Sequence, residues 1–205
     1  MEINVIPLGD MGTNCYLING NTGAVVIDPG YKSEKVLDFL KNNSNKERLI
    51  LLTHNHFDHI SGALALSSET NSKIAIGQLD NNGLSDANIN LSVMFGENIA
   101  PFSADILLND NEKITVGDLE FTVLHTPGHT VGSVSFLSGD CLFAGDTLFY
   151  ESIGRTDFPG GNFGTIKKSI IRLYALGDNL TVYSGHGPAT TIGHEKLFNP
   201  YVRAD

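Results

Sequence analysis

The stretch ERLILLTHNHFDH, residues 47–59, decides how this chain reads. Its first part, RLILL, is a continuous apolar run that reads as a buried strand. Its second part places His54, His56, Asp58 and His59 within six positions, in a chain of 205 residues that has seven histidines. If the strand ends near Thr53 and the chain leaves it extended, side chains two apart point the same way, so His54 and His56 share a face. Asp58 and His59 follow, and ISGALAL can open a helix just there. Imidazole and carboxylate at a rigid strand end suit Zn2+, Fe2+ or Mn2+. Taken alone, the run also reads as a histidine-rich surface loop.

Further candidates stand at other strand ends. LEFTVL is followed by HTPGHTVG with His125 and His129, CLFAG by Asp146, and LTVYS by GHGPAT with His186. Each is a strand, then a glycine-containing turn, then an imidazole or carboxylate. Other roles stay open residue by residue: His125 as a core histidine, Asp146 as a turn cap, His194 as a helix cap. Spacing does not choose between His125 and His129.

Strand-like runs dominate the rest of the chain: INVIPL, CYLIN, GAVVID, RLILLT, KIAIG, KITV, LEFTVLH, SVSFLS, CLFAG and LTVYSG. Helical patterns cover Ser33 to Lys41, with Ser33 as N-cap candidate and Val36, Leu37 and Leu40 on one face. They also cover Ser61 to Ser68 and Gly164 to Ala175. Strands come in runs rather than in strict alternation with helices, which predicts sheet packed on sheet with helices outside. Residues 77–103, rich in Asn and Gly, read as an irregular surface insertion.

Composition bounds the function. A hydrophobic content of 41% and a length of 205 residues make one globular domain, residues 1–205, the simplest expectation. The formal net charge of −10 argues against a nucleic-acid partner. No apolar run approaches the ~20 residues of a membrane span, and the N-terminus lacks the pattern of a secretory signal, so a cytoplasmic protein is expected. Cys15 and Cys141, in apolar strand-like runs, are expected as buried free thiols.

THNHFDH, TPGHT, AGDTLF and SGHG, in this order, resemble the metallo-β-lactamase superfamily over nearly the whole chain. The resemblance implies an αββα sandwich of two mixed sheets, with metals at one edge between them. It implies two divalent ions, zinc in the first instance with iron or manganese as alternatives. His54, His56 and His129 would hold one ion, Asp58, His59 and His186 the other, and Asp146 would bridge them. It selects His129 over His125, which becomes a supporting or core residue, and gives Asp28 in VIDPG a role behind the ligands.

Within the superfamily, Asp146 and the absence of a signal speak against antibiotic hydrolysis. YESIGRTDFPGGN and TIGHEKLFNPYV resemble small bacterial glyoxalase II-like hydrolases, which implies hydrolysis of a thioester such as S-D-lactoylglutathione. A metal-bridging hydroxide would attack, with Asp58 orienting it; thiolate, with a free pKa of ~8.5, leaves without a strong acid. The same stretch resembles the mononuclear-iron persulfide dioxygenases, in which His54, His129 and Asp146 would suffice, and lactone or ester hydrolysis is a further alternative. A binding or sensing protein without turnover is disfavoured, because no ligand position is lost. Tyr150 and Arg155 are candidates for gripping a substrate carboxylate or amide, with an ion pair to Asp157 or Glu151 as the other reading of Arg155. Phe158 and Phe163 are candidates for an apolar wall or for the core. Only 19 residues follow His186, too few for a helical glutathione-binding domain, so the thiol carrier stays open.

Overall fold

The computed structural model describes residues 1–203. In chain order the elements are β1 (Glu2–Leu8), β2 (Thr13–Asn19), β3 (Gly23–Ile27), α1 (Glu34–Asn42), β4 (Glu47–Leu52), α2 (Phe57–Ile60) and α3 (Ala63–Thr70). Then come β5 (Lys73–Gly77), a 3-10 helix (Gln78–Ser85), α4 (Ser92–Phe95), β6 (Ile106–Leu108), β7 (Lys113–Val116), β8 (Leu119–His125), β9 (Val134–Ser138) and β10 (Cys141–Gly145). The last are β11 (Leu148–Phe149), β12 (Ser152–Ile153), α5 (Phe163–Tyr174), β13 (Thr181–Ser184), β14 (Thr190–Thr191) and α6 (Ile192–Phe198).

One sheet has the order β1-β2-β3-β4-β5-β6, the other β14-β13-β10-β9-β8-β7. Both are mixed: β3 to β6 pair parallel, as do β10 and β13, and the remaining pairs are antiparallel. Three apolar layers hold them. Ile27, Leu51, Phe121, Phe136 and Phe143 lie between the sheets. Val36, Leu37, Leu40 and Leu66 pack α1 and α3 onto the outer face of the first sheet. Ile166, Ile170, Leu173 and Ile192 pack α5 and α6 onto that of the second. This is the expected αββα sandwich. The continuous run in β4 follows from it, because that strand is covered on both faces.

Several local expectations change. Ser33 flanks α1 without a side-chain capping bond, whereas Asn162 caps α5 by accepting from Thr165 N and Thr191 caps α6 by accepting from His194 N. His194 therefore sits in the first turn of α6 rather than capping it. Residues 77–103 are an irregular surface segment only in part: they include the 3-10 helix and α4, and Asp80, Leu84, Asn90, Leu91 and Ser92 are buried, whereas residues 96–101 have no helix or strand and lie mostly at the surface. Cys15 is buried and Cys141 half-buried, both as free thiols.

The sandwich is pinned at the end away from the histidines. In the β7–β8 turn, the Asp118 carboxylate accepts from the backbone N–H groups of Asn21, Thr22 and Gly23 at 2.8, 2.9 and 3.1 Å. Gly23 is required there, since a Cβ would fall 1.8 Å from the Val116 carbonyl oxygen. Among the described residues, no helix is long and apolar enough to cross a membrane.

Candidate metal centre

The strands β3, β4, β8, β10 and β13 end at one edge of the sandwich, and the residues just past them form the site. The chain leaves β4 through Thr53 in an extended path, and His56 (φ −65°, ψ 144°) is the last residue before α2. His54 and His56 thus project from the extended segment, while Asp58 and His59 sit in the first turn of α2. Asp28, just past β3 with φ +51°, lies behind them. Its carboxylate accepts from Thr53 N at 2.8 Å, Thr53 Oγ1 at 2.6 Å and His59 Nδ1 at 2.9 Å. Because the Thr53 hydroxyl gives its proton to Asp28, it is an acceptor toward His54 Nδ1, 3.0 Å away. That leaves the Nε2 lone pairs of His54 and His59 directed away from Asp28.

The later loops are fixed in the same manner. His129 Nδ1 donates to the Arg155 carbonyl at 2.8 Å and His186 Nδ1 to the Met11 carbonyl at 3.2 Å, so each again frees its Nε2. Asp146 follows β10, and Gly154 passes so close behind it that a Cβ there would lie 1.7 Å from the Asp146 carbonyl oxygen.

These side chains converge as three overlapping groups whose ligand atoms lie within 4.8 Å of one another: His54, His56 and His129; His54, His59 and Asp146; and Asp58, His59 and His186. Asp146 stands between them, with Oδ1 3.4 Å from His59 Nε2 and Oδ2 3.5 Å from His129 Nε2 and 3.6 Å from His186 Nε2. Asp58 Oδ2 is 3.2 Å from His186 Nε2 and accepts from Thr13 Oγ1 at 2.8 Å. Four buried polar atoms here have no hydrogen-bond partner: Nε2 of His54, His56 and His129, and Oδ1 of Asp146. Buried polar atoms are rarely left unpaired, and unpaired imidazole nitrogens beside carboxylates are the donor set a divalent cation takes.

The electrostatics agree for His54, His56 and the two carboxylates, whereas at His59 and His186 burial is outweighed by Asp58 and Asp146, which raise both. Burial, reinforced by neighbouring imidazoles, pushes His56 down to about 3 and His54 well below its ordinary value, keeping both neutral donors. Burial opposes the charge on Asp58, but His59 and His186 outweigh it and hold that carboxyl near about 2. Asp146 is likewise held low against burial, first by His59.

A cavity of about 320 Å3 opens over the cluster, lined among others by His56, Asp58, His129, Asp146, His186 and Phe158. Arg155 reaches it, and its guanidinium binds Asp157 through two bonds of 2.8 and 2.7 Å, the ion pair that is the other reading of this residue. Tyr150 is not among the lining residues; 46% exposed, it stacks on His194 with ring centroids 5.0 Å apart. Phe163 is exposed at the start of α5, neither wall nor core. His125 stays apart from the cluster, bonded through Nε2 to the Val131 carbonyl.

Asp80 is the residue that pattern reading missed. Fully buried, it accepts from Asn55 N at 3.1 Å, Thr130 Oγ1 at 2.7 Å and Gly132 N at 2.7 Å. It therefore ties the loop carrying His54 and His56 to the loop carrying His129. The signal was available: Asp80 stands three residues past KIAIG, at the same edge as the other strand-end residues.

Comparison with known proteins agrees with this geometry. Residues 8–186 match the family model of the metallo-β-lactamase superfamily. The hydroxyacylglutathione hydrolase GloC of Haemophilus influenzae is 34% identical over 210 residues, covering 100% of this chain and 99% of that one. The crystal structure of the BLEG-1 B3 metallo-β-lactamase superposes with a TM-score of 0.91 at 38% identity, over 99% of this chain and all of the other. TTHA1623 in a di-iron-bound form superposes with a TM-score of 0.87 at 33% identity, over 97% and 100%. The chain belongs to the metallo-β-lactamase superfamily, and its His/Asp cluster is that of a metal-dependent hydrolase of this fold.

Proposed function

We propose that the protein is a two-metal thioesterase that hydrolyses an acyl thioester to a carboxylate and a thiol. The observation that carries this reading is the pair of ligand triads on either side of Asp146. His54, His56 and His129 would hold one ion, Asp58, His59 and His186 a second, and Asp146 both. A single-ion oxidation site would use His54, His129 and Asp146 and is compatible with the second triad, whereas two ions give every residue of both triads a ligand role. When bound, divalent ions would polarise the thioester carbonyl and acidify a water toward neutral pH.

The chain's own groups do the rest. Asp58, ionised at neutral pH and facing the cavity, accepts a hydrogen bond from the attacking water and turns a lone pair toward the carbonyl carbon. Asp28, the Arg155 carbonyl and the Met11 carbonyl keep His59, His129 and His186 from rotating. The carbon–sulfur bond breaks to release thiolate, whose free pKa of ~8.5 requires no strong acid, and among the described residues the cavity is lined by no carboxyl beyond Asp58 and Asp146. The likeness to GloC points to the same reaction class.

The test is hydrolysis of thioesters, S-D-lactoylglutathione first and N-acetylcysteamine esters beside it, by protein of measured metal content. Chelator-sensitive turnover with two ions per chain is expected. Failure to cleave any thioester in a sample holding two ions would overturn the reading; nitrocefin in the same plate asks whether β-lactams are substrates.

A further inference from the structure

The cavity over the cluster has a wall that hydrolysis itself does not require. Phe57 and Phe95 stack with ring centroids 4.8 Å apart, and Phe158 meets Phe95 edge-on at 6.4 Å. Met11, Leu91 and Ile153 complete an apolar surface beside the ligands. Leu91 adopts φ +67°, a left-handed conformation costly for a branched side chain, yet it is buried against this cavity. Phe95 remains 41% exposed at the rim. Large apolar side chains kept at a cavity mouth mark a surface waiting for an apolar ligand.

Arg155 lies 3.6 Å over the Phe158 ring and pairs with Asp157 at the surface, an ion pair that a ligand can displace. A hydrocarbon arm would meet three aromatic rings.

We infer that this site takes thioesters whose acyl group is an apolar chain seated on Phe57, Phe95 and Phe158. The inference rests on the thioesterase reading and narrows its substrate class away from short hydroxyacyl groups. A methylene withdrawn from water is worth at most about fourfold in binding, so an open-mouthed cavity gives about two- to fourfold for each.

Two measurements separate this inference from the reading beneath it. Calorimetric titration with uncleavable S-ethyl, S-butyl and S-hexyl thioethers of N-acetylcysteamine tests the wall. Affinity is expected to rise about two- to fourfold per methylene, and the rise to flatten in Phe95→Ala and in Phe158→Ser. Affinity independent of chain length overturns the inference whatever the turnover. Turnover of acetyl, butyryl and hexanoyl N-acetylcysteamine thioesters then tests the chemistry, with kcat/KM expected to climb in the same order. Chain-length-dependent binding without any hydrolysis keeps the apolar site and overturns the thioesterase.

Discussion

The Asp80 carboxylate receives the Thr130 hydroxyl at 2.7 Å across the top of the sandwich, joining a residue that follows a strand of one sheet to a residue that follows a strand of the other. Two further donors, Asn55 N and Gly132 N, converge on the same buried carboxyl group. Burial raises its pKa while these donors pull it back.

Removing that brace should loosen both loops at once. Asp80→Ala leaves the buried N–H groups of Asn55 and Gly132 without an acceptor, at about 1–3 kcal/mol each, and the Thr130 hydroxyl with Ser133 alone. Metal affinity, measured by competition with a chromogenic chelator, is expected to drop about 10- to 100-fold, as for other groups that orient ligands. Asp80→Asn, which keeps an acceptor oxygen, should recover part of it. Unchanged affinity in Asp80→Ala with a lowered melting point would make Asp80 a structural brace only.

Asp58 is expected to act on rate more than on the first ion. Asp58→Asn leaves His54, His56 and His129 intact and retains an oxygen for the Thr13 hydroxyl. At least one ion per chain should remain by elemental analysis, while kcat falls about 100-fold or more. Wild-type kcat in this variant would remove Asp58 from the chemistry.

Stripping the metals should lower stability without dissolving the fold. The ligands lie beyond the strand ends, whereas the core between the sheets rests on Phe121, Phe136 and Phe143. At free metal of 100 times Kd, binding contributes about 2.7 kcal/mol, which is about 5–10 °C in Tm for a chain of this size. Chelation should therefore give a reversible shift of that order with an unchanged far-UV circular dichroism spectrum. Collapse of that spectrum would mean the metals organise the sheets themselves.

Asp118 offers a pH test far from the metals. Backbone N–H groups, that of Thr22 first, hold its folded-state carboxyl well below the usual carboxylate range. A depressed folded pKa means the stabilisation is fully present above the unfolded value of ~3.9 and is lost as pH falls through the folded one. Asp118→Ala should thus lower the urea midpoint at pH 7, with the difference from wild type shrinking between pH 4 and pH 2. A difference that does not change with pH would assign the loss to the turn's geometry rather than to the charge.

Much of this molecule was legible one residue at a time. RLILL, LEFTVLH and CLFAG declare strands because their apolar patterns match what a covered or half-covered sheet buries. His54, His56, Asp58, His59, Asp146 and His186 declare themselves because side chains just past strand ends inherit the strand's rigidity, whereas His129 was told from His125 only by the family resemblance. Short pairings such as β11 with β12 were not legible, since two residues per strand carry no periodicity.

What tertiary structure alone decided concerns residues whose roles depend on partners distant in sequence. Asp80 looked like part of a polar surface segment until folding brought Thr130 and Gly132 to it and buried all three. Arg155 read equally as a substrate contact and as an ion pair until folding closed its guanidinium on Asp157, and the ring that Tyr150 stacks on, His194, was not visible along the sequence. Local pattern reports which way a side chain leaves the backbone; only the folded chain settles which charge or ring is waiting there, because Coulombic and packing energies depend on distance in space rather than along the sequence.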